Sequence, residues 1–316
     1  NTWRPAPRLG ASTTYWSYTV DQPMLKDDIE YKVEARAVDY AGNVSVVYST
    51  YTVTYDTTGP TVSLTFPSDG ATYSRIRIST PVQGTSGNTQ TSENTGVSTV
   101  AVAISEVIGV GNNYNTCFNG TTFVGCGAAN WLPAQGSLPP WSFIDPELSF
   151  TNDLKYKVEA RSMDTAGNAS AVSSVIIYYD LDKPTSTVVS PGNSYITSWS
   201  QITGYAWDDV ANNKSYEATF GTYTVKVAIQ RIGAGWWNGT FGGGSPVWYE
   251  TVVDTSPYAQ GYTTYTWTYN MPAPLQSAIT TGKTFSYLVV PWAYDLAQNR
   301  EFGPNTGDPA SGDIPG

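Results

Sequence analysis

Three Asp–Asn pairs share one spacing: Asp39/Asn43, Asp164/Asn168 and Asp295/Asn299. An aspartate beside a turn can ligate calcium or take a proton as a general base. Each pair closes the same kind of stretch: YKVEARAVDYAGN at 31–43, YKVEARSMDTAGN at 156–168 and a worn copy, YLVVPWAYDLAQN, at 287–299. Asp and Asn at such a place can also cap the turn by bonding nearby backbone N–H groups, while Gly42 and Gly167 supply a positive φ. A catalytic centre is seldom copied into every repeat, so turn architecture is the expected role, with calcium second. In the third copy Gln298 replaces the glycine, so either that turn needs no positive φ or its geometry differs.

Other acids stand where repeats meet. Asp56, Asp180 and Asp182 lie at the junctions, where calcium could stiffen tandem β-domains through oxygen ligands. No dense D-x-D-x-D run accompanies them, so plain linker acidity is the leading expectation and no metal site is assigned. Pro60 and Pro184 stiffen both linkers in either case. Asp208, Asp209 and Glu217 read as members of a polar loop that needs only solvation.

The chain has no histidine, which removes Ser-His-Asp and Cys-His catalysis and the commonest zinc ligand. Cys117 and Cys126 enclose FNGTTFVG, a pairing that fits a disulfide across a hairpin, with two buried thiols as the alternative. The stretch GWWNGTFGGGSPVWYE at 235–250 occupies the same place one repeat later. Its Trp236, Trp237, Trp248 and Tyr249 could stack on sugar rings, or anchor a hairpin packed on the sandwich or on a neighbouring subunit. Sequons at Asn119 and Asn238 sit at matching hairpin tips, where a glycan would be exposed. Those at Asn43 and Asn168 belong to the turn motif, and a fifth is at Asn213. No P-loop, dinucleotide fingerprint or G-x-S-x-G occurs, so no cofactor and no enzymatic activity are expected.

The elements that must position these residues are strands. Tyr, Thr, Val and Ser dominate, with 23 Tyr and 11 Trp, while helix formers are sparse. Tyr31, Val33, Ala35 and Ala37 alternate with Lys32, Glu34 and Arg36, a period of two that Tyr156, Val158 and Ala160 repeat. In the third copy the polar face becomes Leu288, Val290 and Trp292, so something must cover it; Pro291 implies an edge or a bulge. VSTVAVAIS (97–105) and YTVKVAIQ (223–230) form a second strand set. YWSYTV (15–20), PWSFID (140–145) and YTWTYNM (265–271) form a third, each with a tryptophan near its centre. From Asp39 to Asp164 is 125 residues and from Asp164 to Asp295 is 131, a period that suits one β-domain per repeat.

These motifs, with the junctions YDTTGPTVSLTFP (55–67) and YDLDKPTSTVVSP (179–191), resemble the tandem immunoglobulin-like repeat domains of bacterial surface proteins, adhesin stalks and extracellular filaments. The resemblance implies an all-β fold of tandem antiparallel immunoglobulin-like sandwiches. The expected units are 1–56 (later strands only), 57–180 and 181–316, the last without an obvious final strand. It further implies a structural segment of an extracellular filament, sheath or stalk, with an adhesin or carbohydrate-binding module as the alternative. The expected partners are copies of the chain or further repeats, and a cell-surface or glycan ligand in the alternative reading. The net charge of −10 argues against nucleic acid, and no apolar run is long enough for a membrane helix. The missing end strands are expected to come from a longer chain, or failing that from neighbouring subunits.

Overall fold

The computed structural model describes residues 3–7, 15–20, 24–74, 81–88, 96–108, 113–136, 140–192, 195–208, 222–254, 264–280 and 284–301. The fold is all-β, a tandem of antiparallel immunoglobulin-like sandwiches. In the first unit, β1 (Ile29–Ala35) and β2 (Ser49–Tyr55) form an antiparallel hairpin with Tyr31 opposite Val53. Its apolar side chains Val33, Tyr51 and Val53 remain exposed.

The second unit runs through β3 (Thr61–Phe66), β4 (Ala71–Tyr73), β5 (Val82–Gly87), β6 (Val97–Ile108), β7 (Asn113–Phe118), β8 (Phe123–Gly125), β9 (Leu132–Pro133), β10 (Trp141–Phe143), β11 (Leu154–Asp164) and β12 (Ser173–Tyr179). One sheet has the order β10-β5-β3 and the other β4-β12-β11-β6-β7-β8, with β9 beside β6; the pairing is antiparallel except that β4 runs parallel to β12. Tyr156, Val158 and Ala160 of β11 face inward, where they meet Val102, Ile104, Trp141 and Ile177.

The third unit contains β13 (Thr185–Ser190), β14 (Gln201–Trp207), β15 (Thr222–Arg231), β16 (Gly235–Trp237), β17 (Phe241–Gly243), β18 (Tyr249–Glu250), β19 (Val252–Asp254), β20 (Thr264–Asn270), a short helix α1 (Ala273–Thr280) and β21 (Tyr287–Asp295). Sheet β13-β14-β20-β19 packs on sheet β17-β16-β15-β18, whose β15 also carries β21. Pro291 lies in β21, which pairs on one side only among the described residues. The expectation of a missing final strand falls on 302–316, outside the described residues.

One packing device recurs. Trp141 stands opposite Gly84, and Trp267 opposite Gly204, in the cross-strand register. A methyl group on Gly84 would lie 2.1 Å from the Ser63 carbonyl oxygen and 2.2 Å from the Trp141 ring; on Gly204 it would lie 1.9 Å from the Thr187 carbonyl oxygen. Each indole therefore occupies the space its glycine leaves, and both are fully buried. On area grounds each burial stabilises its sandwich by at most about 4–6 kcal/mol. The corresponding Trp16 is 52% exposed, and 15–20 forms only an isolated bridge rather than the expected strand. Among the described residues of the first unit no glycine-bearing strand receives that ring.

The outer face of the third unit is covered by its own chain only in part: Leu288, expected under the same cover, is 43% exposed. Val290 is buried with Ala228 and Trp236 beneath Trp248, and Trp292 lies 4.9 Å from the Trp248 ring. In the second unit the same face is polar. Lys157 pairs with Glu159 at 2.7 Å, the Tyr114 hydroxyl donates to Glu159 at 2.7 Å, and Arg161 stacks on Trp131 at 4.3 Å. Arg36 stacks likewise on Trp3, at 4.1 Å.

Candidate functional site at the joints between units

The three Asp–Asn turns have one geometry. Asn43 donates its backbone N–H to Oδ1 of Asp39 and its side-chain amide to Oδ2, both at 2.8 Å. Asn168 does the same to Asp164 at 2.8 and 3.1 Å, and Asn299 to Asp295 at 2.7 Å twice. The aspartate N–H returns a bond to the asparagine carbonyl in each case. Gly42 and Gly167 have φ of 88° and 94°; Gln298 keeps the same turn at φ 70°, so the third copy retains the left-handed residue without a glycine. Two residues past each asparagine, Ser45, Ser170 and Glu301 accept the N–H of Ala37, Ser162 and Ala293. The Asn and Ser of the sequons at 43 and 168 are thus both engaged in the turn itself.

Two of these turns also hold the preceding unit. The Asn168 amide donates to the Asp56 carbonyl at 3.1 Å, and the Asn299 amide to the Asp180 carbonyl at 3.0 Å. Asp56 and Asp180 are the residues on which the first and second units end. Each accepts the N–H two residues on, Thr58 at 2.9 Å and Asp182 at 3.0 Å, which folds the linker toward the buried Pro60 or Pro184. The preceding unit contributes a further loop to each joint. Asp27 accepts the Thr57 N–H at 2.6 Å, and Asn152 accepts the Leu181 N–H at 2.5 Å. The residues after them, Asp28 and Asp153, are both left-handed, at φ 58° and 61°.

The electrostatics of the second joint are unusual. Carboxylate oxygens of Asp180, Asp208 and Asp295 lie within 4.8 Å of one another, as do those of Asp153, Asp180 and Asp182. Asp295 is fully buried, Asp180 is 1% exposed and Asp208 is 4% exposed. Asp208 is therefore not the solvated loop residue expected from sequence; Asp209 and Glu217 fall outside the described residues. Burial, then the charges of Asp208 and Asp295, pushes the Asp180 carboxyl up to about 8. Burial raises Asp295 to about 6 against the opposing bonds from Asn299. At the exposed Asp39 the bonds from Asn43 lower the value.

The other residues singled out by sequence lie away from the joints. Cys117 and Cys126 form a disulfide with Cα atoms 5.8 Å apart, closing the β7–β8 hairpin. Asn119 and Asn238 are exposed at the two equivalent tips, followed by Gly120 and Gly239 with φ of 91° and 105°. Trp236 and Trp237 are 6% and 4% exposed, so neither offers a ring face to a sugar. Tyr249 is half-buried and donates its hydroxyl to the Trp237 carbonyl at 3.2 Å. Sequence reasoning named Asp56, Asp180 and Asp182 but passed over Asp28, Asp153 and the pairing of each turn with a linker. The available signal was the match of PVQGTSGN to SQITGYAWD, which puts Asn88 and Asp208 four positions beyond the glycines under the tryptophans.

No protein-family model matches the chain, and no curated protein matches it. Among solved structures it is similar to the fibronectin(III)-like modules of CbhA from Clostridium thermocellum, at 12% identity and a TM-score of 0.34, covering 77% of this chain and 90% of that one. It is also similar to an α-L-rhamnosidase from Dictyoglumus thermophilum (10% identity, TM-score 0.26), covering 78% of this chain but 29% of the enzyme. A Streptomyces avermitilis α-L-rhamnosidase is matched at 10% identity and a TM-score of 0.24, over 76% of this chain and 24% of the enzyme.

Proposed function

We propose that the chain is a structural segment or subunit of an extracellular filament, sheath or surface stalk, built end to end from immunoglobulin-like domains with further repeats or copies of itself. One observation carries this reading. The same asparagine amide reaches the same linker carbonyl at both joints, at 3.1 Å from Asn168 and 3.0 Å from Asn299. A linker meant only to tether two independent domains has no need of a repeated contact to the next domain. A contact repeated at every joint resists bending all along an array. The aspartates of the turns are structural in this reading, and the chain has no catalytic role.

The Cys117–Cys126 disulfide supports an oxidising, extracellular setting. Among the described residues no helix is long and apolar enough to cross a membrane. Carbohydrate binding has less support, because Trp236 and Trp237 lie inside the third unit. Negative-stain electron microscopy of the native material tests the proposal. Rods or filaments with a fixed angle between successive units are expected; compact single particles, or units that flex freely about 56 and 180, would overturn it.

A further inference from the structure

The second joint has a feature that mechanical linkage does not require: three buried carboxylates converge, two from the third unit and one from the end of the second. Asp180 Oδ1 accepts the Asp182 N–H, but Oδ2 is buried with no hydrogen-bond donor. A buried carboxylate oxygen left in that state is costly, and a second and third carboxylate beside it raise the cost. Hydrogen bonding relieves only part of this, because Asn299 serves the carboxylate of Asp295 and, at Asp180, reaches the backbone carbonyl rather than the side chain. Two remedies remain, a proton or a cation.

We propose that Asp180, Asp208 and Asp295 bind a calcium ion that locks the second unit to the third, with Asp153 and Asp182 forming the outer side of the site. The geometry suits this ion. Two oxygens bound to one calcium at about 2.3–2.6 Å lie at most about 5 Å apart, and the carboxylate oxygens here lie within 4.8 Å. The donor set is all hard oxygen, without histidine or thiol, and its number of carboxylates exceeds what magnesium, which retains its waters, usually takes from a protein. Each bond made by Asp295 uses one lone pair of an oxygen that has two, so those oxygens can still ligate. The raised pKa of Asp180, caused by burial and then by Asp208 and Asp295, is the form this crowding takes when only protons relieve it.

The first joint lacks this site. The positions of Asp182 and Asp208 are held there by Thr58 and Asn88, and among the described residues no triad forms around Asp56. Calcium is therefore specific to the second joint.

The test uses the full chain, freed of metal with a chelator and titrated with calcium chloride. Calorimetry should show saturable binding at a single class of site, and the melting temperature should keep rising as free calcium increases. Asp180→Asn and Asp208→Asn should each abolish the calcium-dependent rise, while Asp56→Asn, at the first joint, should keep it. In chelator Asp180→Asn should melt no lower than the parent, since it removes a buried charge and keeps the carbonyl that Asn299 uses. Absence of calcium binding to the unmodified chain overturns the proposal, whatever the variants do. An undiminished response in both second-joint variants overturns it as well.

Discussion

The two joints are one construction made twice with different side chains. Both place an aspartate directly after a strand, both use an asparagine amide to hold that aspartate's carbonyl, and both bury the following proline. They differ in what fills the space between. At the first, Asp27 receives the N–H of Thr57 and the hydroxyls of Thr57 and Thr58, and Asp56 receives the N–H of Thr58, so neutral donors meet the carboxylates. At the second, Asn152 and Asp182 take over that corner, and Asp208 enters from the strand end below. The linker paths differ too. A methyl group on Gly59 would lie 2.2 Å from the Ala169 carbonyl oxygen, whereas Lys183 occupies the equivalent position of the second linker. The backbone contacts thus define the joint, and the side chains around them decide how it is neutralised.

Substituting the asparagine that spans each joint should give the largest effect and separate the two. Asn299→Asp replaces a donor with an acceptor facing Asp295 Oδ2, 2.7 Å away, and the Asp180 carbonyl, 3.0 Å away. In metal-free buffer it should destabilise the third unit by about 2–5 kcal/mol, as for other uncompensated buried charges. Asn168→Asp should cost less, because no carboxylate triad adjoins Asp164 among the described residues. Denaturant unfolding of the two variants measures the difference; equal costs would mean that the crowding of Asp180, Asp208 and Asp295 has no energetic consequence.

A smaller effect is expected from the linker. Gly59→Ala should cost about 1–3 kcal/mol by overpacking against the Ala169 carbonyl. Lys183→Ala should be near neutral, since a side chain is already accommodated there. The check is thermal melting combined with proteolysis at the first joint, which the glycine substitution alone should accelerate.

The smallest effect compares turns inside and outside a joint. Asp164→Asn keeps one acceptor oxygen for the Asn168 N–H but puts an NH2 against the Asn168 side-chain amide, and should cost about 0.5–2 kcal/mol, the range for lost local caps. Asp39→Asn makes the same exchange in an exposed turn and should cost less. Hydrogen exchange at the Asn43 and Asn168 amides would register each loss separately; a larger loss at Asn43 would show that the joint adds nothing to its turn.

The repeat arithmetic, the two-residue alternation and the AGN turn were legible because they depend on local backbone chemistry. A strand facing core on one side must alternate, and a tight left-handed turn favours glycine, aspartate and asparagine. Cys117 and Cys126 were legible through their closeness along the chain. The third copy was not legible in this way: with Gln298 for glycine, a turn without a positive φ or with another geometry was expected, yet Gln298 stands at φ 70° and the bonds between Asp295 and Asn299 are those of the other turns. What alternation along one strand leaves open is the cover of its outer face. Leu288, Val290 and Trp292 signalled a cover, but only the fold brings Trp236 and Trp248 onto Val290 and Trp292 and leaves Leu288 exposed. The same limit applies at the joint. Asp180, Asp208 and Asp295 are scattered over 116 positions, from 180 to 295, and belong to two units. Singly, Asp180 reads as a linker acid, Asp208 as a solvated loop residue and Asp295 as a turn cap. Their mutual approach is decided by the register that sets Gly204 against Trp267 and by the reach of Asn299 to the preceding unit's last carbonyl. Those are long-range contacts, and no local pattern encodes them.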